Sequence, residues 1–244
     1  MSWEEFEDEL ARRRATGRPA RFWWRDDDAG TVLPELKRLL SLSQEWNIPI
    51  SLAVVPEAAE PELFKLLHEG VTVLQHGTDH RNRAAAGEKK TEYPAAEPIE
   101  SALGRIVDGL GRLRTYAGGK LLPVLAPPWN RVRSDLLKKL PAIGVVGVSG
   151  YGARQSAEPA PGLRQVNTHV DLVAWRGGRG FVGEAQALSL AMKNLSGEEP
   201  LGWLTHHAVH DEAAWKFLER LLTLRDVRWL SAAEAFSYTR PANG

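Results

Sequence analysis

The chain has 244 residues, of which 43% are hydrophobic, and 31 Lys plus Arg stand against 31 Asp plus Glu. That is enough apolar material for a sizeable buried core, and the even charge balance excludes the strongly basic surface of a dedicated nucleic-acid binder. There is no Cys. Disulfide frameworks, thiolate zinc sites and Cys nucleophiles are therefore excluded, and any metal must be held by His, Asp or Glu.

Ser2 followed by Glu5 reads as a capping box opening a short helix, with Trp3, Phe6 and Leu10 on one side and Gly17 and Pro19 ending it. Arg12, Arg13 and Arg14 suit its last turn, next to the negative end of the helix dipole. This start lacks the apolar run of a signal peptide, and nothing reaches the roughly 18 apolar residues of a membrane span, so a cytoplasmic chain with no membrane partner is expected.

Beyond residue 18, short apolar runs alternate with helical patterns. Candidate strands lie at 21–25, 50–55, 71–75, 121–126, 143–148, 163–170, 201–205 and 227–230, and candidate helices at 33–46, 61–69, 98–117, 134–140, 184–195, 211–224 and 232–238. Strand then helix, repeated seven or eight times, predicts a parallel sheet with helices outside. At this length the economical solution is a distorted (β/α) barrel of about seven parallel strands, with a doubly wound open sheet as the rival. No composition shift or internal repeat divides the chain, so one domain over 1–244 is expected, an N-terminal helix (1–18) before a barrel (19–240). The irregular stretches 81–97, 150–162 and 176–183 follow predicted strands, on the side where parallel barrels place their active sites.

Three motifs stand at the ends of predicted strands. Asp26, Asp27 and Asp28 follow Phe22-Trp23-Trp24 and Arg25. Adjacent carboxylates repel, so this is either a solvated turn or a place where a cation removes the repulsion. In Gln75-His76-Gly77-Thr78-Asp79-His80, two His at i and i+4 share one face of a helical turn, close enough to hold one ion. Leu204-Thr205-His206-His207 ends a late strand. Alternation sends its two His to opposite sides, so only one points into a barrel mouth. An Asp with two His suits Zn, Mn, Co or Ni, with a second Asp as base and a late His as acid.

The order Asp-Asp, His-x-x-x-His, a Pro-rich aromatic turn and a final Leu-x-His resembles the polysaccharide deacetylases of carbohydrate esterase family four, over about residues 21 to 211. The resemblance implies a distorted barrel and a metal-dependent hydrolase that removes acetyl groups from an N-acetylated or O-acetylated sugar or polysaccharide. It implies Asp27 as general base, Asp28, His76 and His80 as ligands of a divalent ion, Zn first among them, and His206 as general acid. One departure is that the third motif, Leu125-Ala126-Pro127-Pro128-Trp129-Asn130, has Ala126 where the family places an Arg that orients the base. Arg25 or Arg131 could take its place, and Asp26 leaves the register of the acidic triplet open by one. Pro128, Trp129, Asn130, His169, Trp175 and His207 are candidates for contact with a carbohydrate substrate, with Trp129 and Trp175 placed against sugar faces. In place of the fourth motif stand Asn167, His169, Asp171 and Trp175. Gly177, Gly178, Gly180 and Gly183 do not form a nucleotide fingerprint and suggest a flexible lid. The competing readings are a non-catalytic carbohydrate-binding relative, favoured by the missing Arg, another metal-dependent C–N hydrolase, and a phosphoesterase, disfavoured because no phosphate cradle is evident.

Overall fold

The computed structural model describes residues 1–176, 178–195, 197 and 199–237. Gly177 of the glycine loop and Tyr238 at the end of the last candidate helix lie outside the described residues.

The strands are β1 (Ala20–Ala29), β2 (Ile50–Val54), β3 (Val71–Gln75), β4 (Leu121–Leu125), β5 (Gly147–Val148), β6 (Arg164–Gln165), β7 (Val170–Asp171), β8 (Leu201–Thr205) and β9 (Val227–Leu230). The helices are α1 (Trp3–Ala15), α2 (Pro34–Glu45), α3 (Pro61–Lys65), α4 (Ile99–Ala117), α5 (Ser134–Leu137), α6 (Glu184–Asn194), α7 (Glu212–Leu222) and α8 (Ala232–Ala235). Strand order is β6-β5-β4-β3-β2-β1-β8-β7, and β9 lies beside the first half of β1. Every named strand pairing is parallel.

The ends of that order, β6 and β7, are one short stretch of chain. Within it Thr168 N donates to Gly150 O beyond β5, and His169 N donates to Gly202 O of β8. Residues 164–171 thus bridge the two edges and curl the sheet into a distorted barrel. The sequence reads this stretch as one strand over 163–170, and the structure splits it because its backbone changes neighbours midway. The candidate strand 143–148 survives only as β5. Leu140–Ile143 forms a 3-10 turn, with Gly144 in the left-handed region (φ 83°).

The apolar alternation of β1 decides which side chains reach the mouth. Trp23 points into the barrel, where it packs with Leu74, Leu122, Val124, Val166, Leu230 and Phe236. Phe22 and Trp24 point outward, into the layer shared with α1, α2, α6 and α7. Phe6 of α1 stacks on Phe22 at 6.3 Å, so the capped N-terminal helix covers the outside of β1. Phe236, just after α8, lies edge-on to Trp23 and closes the floor. No helix among the described residues is long and apolar enough to cross a membrane.

Candidate metal and catalytic site

β1 runs four residues past the predicted strand, so the acidic triplet lies inside it. Period-2 alternation continues the inward series of Trp23 through Arg25 to Asp27, and the outward series of Trp24 through Asp26. Asp28 would point outward too, but an irregularity in pairing with β2 falls between Asp26 and Ala29, and Asp28 has φ 67°. This break in register re-aims Asp28 over the mouth. Three adjacent carboxylates therefore have three different environments.

Asp26 is fully buried on the outer side. It accepts hydrogen bonds from Thr205 Oγ1 (2.7 Å) and His207 N (3.0 Å), and its Oδ1 lies 2.5 Å from His207 Nδ1. Burial opposes its charge, but the neighbouring His207 more than offsets this and holds its carboxyl below the usual carboxylate range. Trp24 Nε1 donates to Thr205 Oγ1, extending the chain of bonds. His207 is therefore a buried partner of Asp26 and does not open to the mouth, which corrects its assignment as a substrate contact. His206, one residue past the end of β8, faces the mouth, as the strand's alternation continued by one residue predicts.

Asp27 is paired with Arg25 through two contacts, Nη2 to Oδ2 at 2.9 Å and Nε to Oδ1 at 2.8 Å. Arg25 is itself fully buried. Its Nη1 donates to Ser149 Oγ (2.6 Å) and Ser149 O (2.9 Å), and its Nη2 to Asn130 Oδ1 (2.8 Å). The guanidinium absent at Ala126 is thus supplied from two residues before Asp27, through one hydrogen bond from Nη2 and a close ion pair at Nε. Arg131 is exposed and donates to Lys90 O.

Asp28 Oδ1 lies 3.1 Å from His76 Nε2 and 3.2 Å from His80 Nε2, and one ligand atom from each of the three residues falls within 4.8 Å of the others. The two His do not share a helical turn. Residues 76–80 form an irregular loop in which Gly77 (φ 61°) and His80 (φ 56°) are left-handed. Glu92, fully buried in the long 81–97 stretch, shapes that loop: its Oε1 accepts Thr78 N at 2.8 Å and its Oε2 accepts His80 N at 3.2 Å. Gly77 is required there, since a Cβ would lie 2.6 Å from Pro128 Cγ.

The donor set fits a divalent ion. His76 Nδ1 lies 2.8 Å from Ala126 O, so in the neutral ring the proton sits on Nδ1 and Nε2 offers its lone pair. Two acceptors 3.1 Å apart need a positive centre between them. Bonds near 2.0–2.1 Å place ligand atoms about 3.0–3.4 Å apart around one ion, which matches both separations from Asp28. Burial works against charge on Asp28, but the two His hold its carboxyl well below the usual range.

His206 Nε2 lies 3.9 Å from Asp27 Oδ2, and its Nδ1 lies 3.6 Å from Asp171 Oδ1, an ion-pair distance. Burial disfavours the imidazolium, but Asp171, Asp27 and Asp28 together outweigh it and raise the ring to about 9. Trp175 donates from Nε1 to Asp171 Oδ2 (2.8 Å) and sets its half-exposed ring edge-on to His206 at 4.7 Å. On either side of Trp175, Ala174 N donates to Gly180 O and Phe181 N donates to Asp211 Oδ2.

Across the mouth, the Trp129 ring stands 4.6 Å from His80, and both Trp129 and Asn130 have φ 55°. Pro128, which opens the same turn, is buried. Four of the seven non-glycine residues with positive φ among the described residues, Asp28, His80, Trp129 and Asn130, are therefore on this one rim. His169 is not on it. It bonds Gly202, four residues before His206: its N donates to Gly202 O (2.7 Å), its Nδ1 accepts Gly202 N (3.1 Å), and its Nε2 lies 3.5 Å from Glu199. It supports the strand junction and corrects the expectation of a polar group in the mouth.

Similarity to solved structures extends over nearly the whole chain. The Bc1960 peptidoglycan N-acetylglucosamine deacetylase superposes with a TM-score of 0.60 at 17% identity, covering 90% of this chain and 89% of that one. The chain has the polysaccharide-deacetylase fold. Within that fold it is also similar to a family 4 acetyl xylan esterase from Clostridium thermocellum, solved with a cobalt ion (TM-score 0.57, 14% identity, 89% and 90% covered). The peptidoglycan deacetylase PdaC from Bacillus subtilis is a third such structure (TM-score 0.57, 13% identity, 90% of each chain). No family model and no curated protein sequence matches the chain.

Sequence reasoning gave no role to Glu92 or Ser149, and weighed Asp171 only as a stand-in for a missing motif. The first two act through two hydrogen bonds each, from loops with no periodic pattern. The one signal present was the length of the 81–97 stretch.

Proposed function

We propose that this chain is a metal-dependent hydrolase that removes acetyl groups from an N-acetylated or O-acetylated sugar or polysaccharide. The observation that carries the reading is the grouping on one rim of three side chains able to ligate one ion, a carboxylate clamped by a buried Arg, and an imidazole facing a second carboxylate. The deacetylases and esterases that share the fold support it.

Asp28, His76 and His80 would hold the ion, whose chemistry when bound is to polarise the acetyl carbonyl and make water a better nucleophile. Asp27, fixed in place by Arg25, accepts the proton of the attacking water. His206, held protonated by its carboxylate surroundings, gives a proton to the departing amine or alcohol. Trp129 and Trp175 present ring surface on either side for the faces of a sugar. Arg25 answers the argument for a non-catalytic relative, because the orienting guanidinium is present and comes from another position.

The test is acetate release by chelator-stripped protein and by protein reloaded with Zn, Co, Ni or Mn. The substrates are N-acetylated oligosaccharides, O-acetylated xylo-oligosaccharides and a small aryl acetate. Activity is expected only in reloaded protein. An ion bound stoichiometrically with no acetate released from any of them would refute the proposal.

A further inference from the structure

Beside the mouth runs a cleft of about 770 Å³, walled by the 88–95 loop, the turn after Pro127, the end of α5 and the segment after β5. It joins the site directly. Asn130, which accepts from Arg25, lines it, and so does Gly150, whose carbonyl faces the same guanidinium at 3.4 Å. Tyr151, 43% exposed, adds an aromatic wall.

The cleft's charge is one-sided. Lys89, Arg131 and Lys138 line it, are exposed, and have no acidic partner among the described residues. Two more cations there are neutralised, Arg133 by Asp135 at 2.6 Å and Arg154 by Glu199 at 3.5 Å. Glu88 is the one acid on the lining. The whole chain has a formal net charge of +0, so this excess is local and does not reflect a generally basic surface. Cations converging on a concave wall focus potential on a ligand's anionic group. An aromatic ring with amide groups such as Asn130 is the surface a saccharide uses for stacking and hydroxyl contacts.

We propose that this cleft is a subsite for an acidic saccharide, so that the preferred substrate carries a carboxylate or phosphate on a sugar beside the one that bears the acetyl group. This rests on the hydrolase reading of the adjoining rim. Lys89, Arg131 and Lys138 act as specificity residues that hold the anionic unit while the acetylated unit lies under Trp129.

The experiment compares three N-acetylated tetrasaccharides of equal length, one neutral, one carboxylated and one phosphorylated on alternate sugars, using ion-loaded protein. The expected result is a kcat/KM at least tenfold higher for an anionic substrate than for the neutral one, falling as salt rises. The ratio between the carboxylated and phosphorylated substrates identifies the group. In Lys138→Glu and Lys89→Glu the anionic-to-neutral ratio should fall by about threefold to tenfold per charge reversed. Equal use of all three substrates by the wild type, or an unchanged ratio in both variants, would overturn the proposal. An aryl acetate too short to reach the cleft reports on hydrolysis alone. If it is not cleaved, calorimetric titration of the same tetrasaccharides still decides the cleft, which requires tighter binding of the anionic ones.

Discussion

Replacing Asp171 with Asn tests the site's proton inventory. His206 serves as an acid only while protonated, and it stays so up to about pH 9 because three carboxylates outweigh its burial. Asp171 faces Nδ1 at 3.6 Å and is the largest of the favourable contributors. Asn is nearly isosteric, but its one oxygen can keep only one of the bonds that Asp171 now accepts from Trp175 Nε1 and Val173 N, so the change removes the charge together with one of these bonds. Losing an opposite charge at this distance lowers an imidazole by about one to three pH units. The sign follows directly: the folded ring is raised, so without Asp171 it gives up its proton at lower pH, and the alkaline limb of the kcat/KM profile moves down by at least about one unit. For a one-unit fall the protonated fraction at pH 8 drops from about 0.9 to about 0.5, and at pH 9 from about 0.5 to about 0.1. A bound cation adds positive charge and lowers both limbs, but leaves the direction of their difference unchanged. The assay is kcat/KM for an N-acetylated oligosaccharide from pH 5 to 10, run beside an aryl acetate. The ester has a good leaving group and should lose less. A D171N profile with the wild-type alkaline limb would refute the role given to this pair.

Three further outcomes are expected. Asp27→Asn should abolish turnover with the ion still bound, whereas Asp28→Asn or His80→Ala should lose ion and turnover together, read by metal analysis of the purified variants. Arg25→Met strands the buried Asp27 carboxylate, so it should cost about 3–5 kcal/mol and lower Tm by roughly 10 °C at this size, with kcat falling in parallel; a stable variant of normal kcat would contradict the clamp. His207→Ala, which strand alternation alone would class as silent, should instead destabilise by about 3 kcal/mol because Asp26 loses its buried partner, measured by thermal unfolding while the ion content stays at one per chain.

Much of this architecture was legible in the sequence because it depends on local physics. Ser2 and Glu5 cap a helix through bonds three residues apart. The runs at 50–54, 71–75 and 201–205 are mostly apolar and almost wholly buried, as covered parallel strands must be, and the alternation of β8 continued past Thr205 separates His206 from His207. Residues that hold each other across strand ends, such as Asp28 with His76 and His80, were legible as a group because each follows an apolar run that stops at the same end of the barrel. What the tertiary structure alone decided was the division of labour within the acidic triplet. Period-2 alternation treats Asp26 and Asp28 alike, and only the break in pairing beside β2, with Asp28 at positive φ, turns one toward His76 and His80 and leaves the other under His207. The same holds for Arg25, whose partners Ser149 and Asn130 are more than 100 residues away, and for Glu92, which sets the His76–His80 loop from across an irregular stretch. Such bonds reward no local pattern. They arise where closure of the sheet brings loops from distant strands to one rim, and closure depends on residues 164–171 exchanging one neighbour for another, which no periodicity encodes.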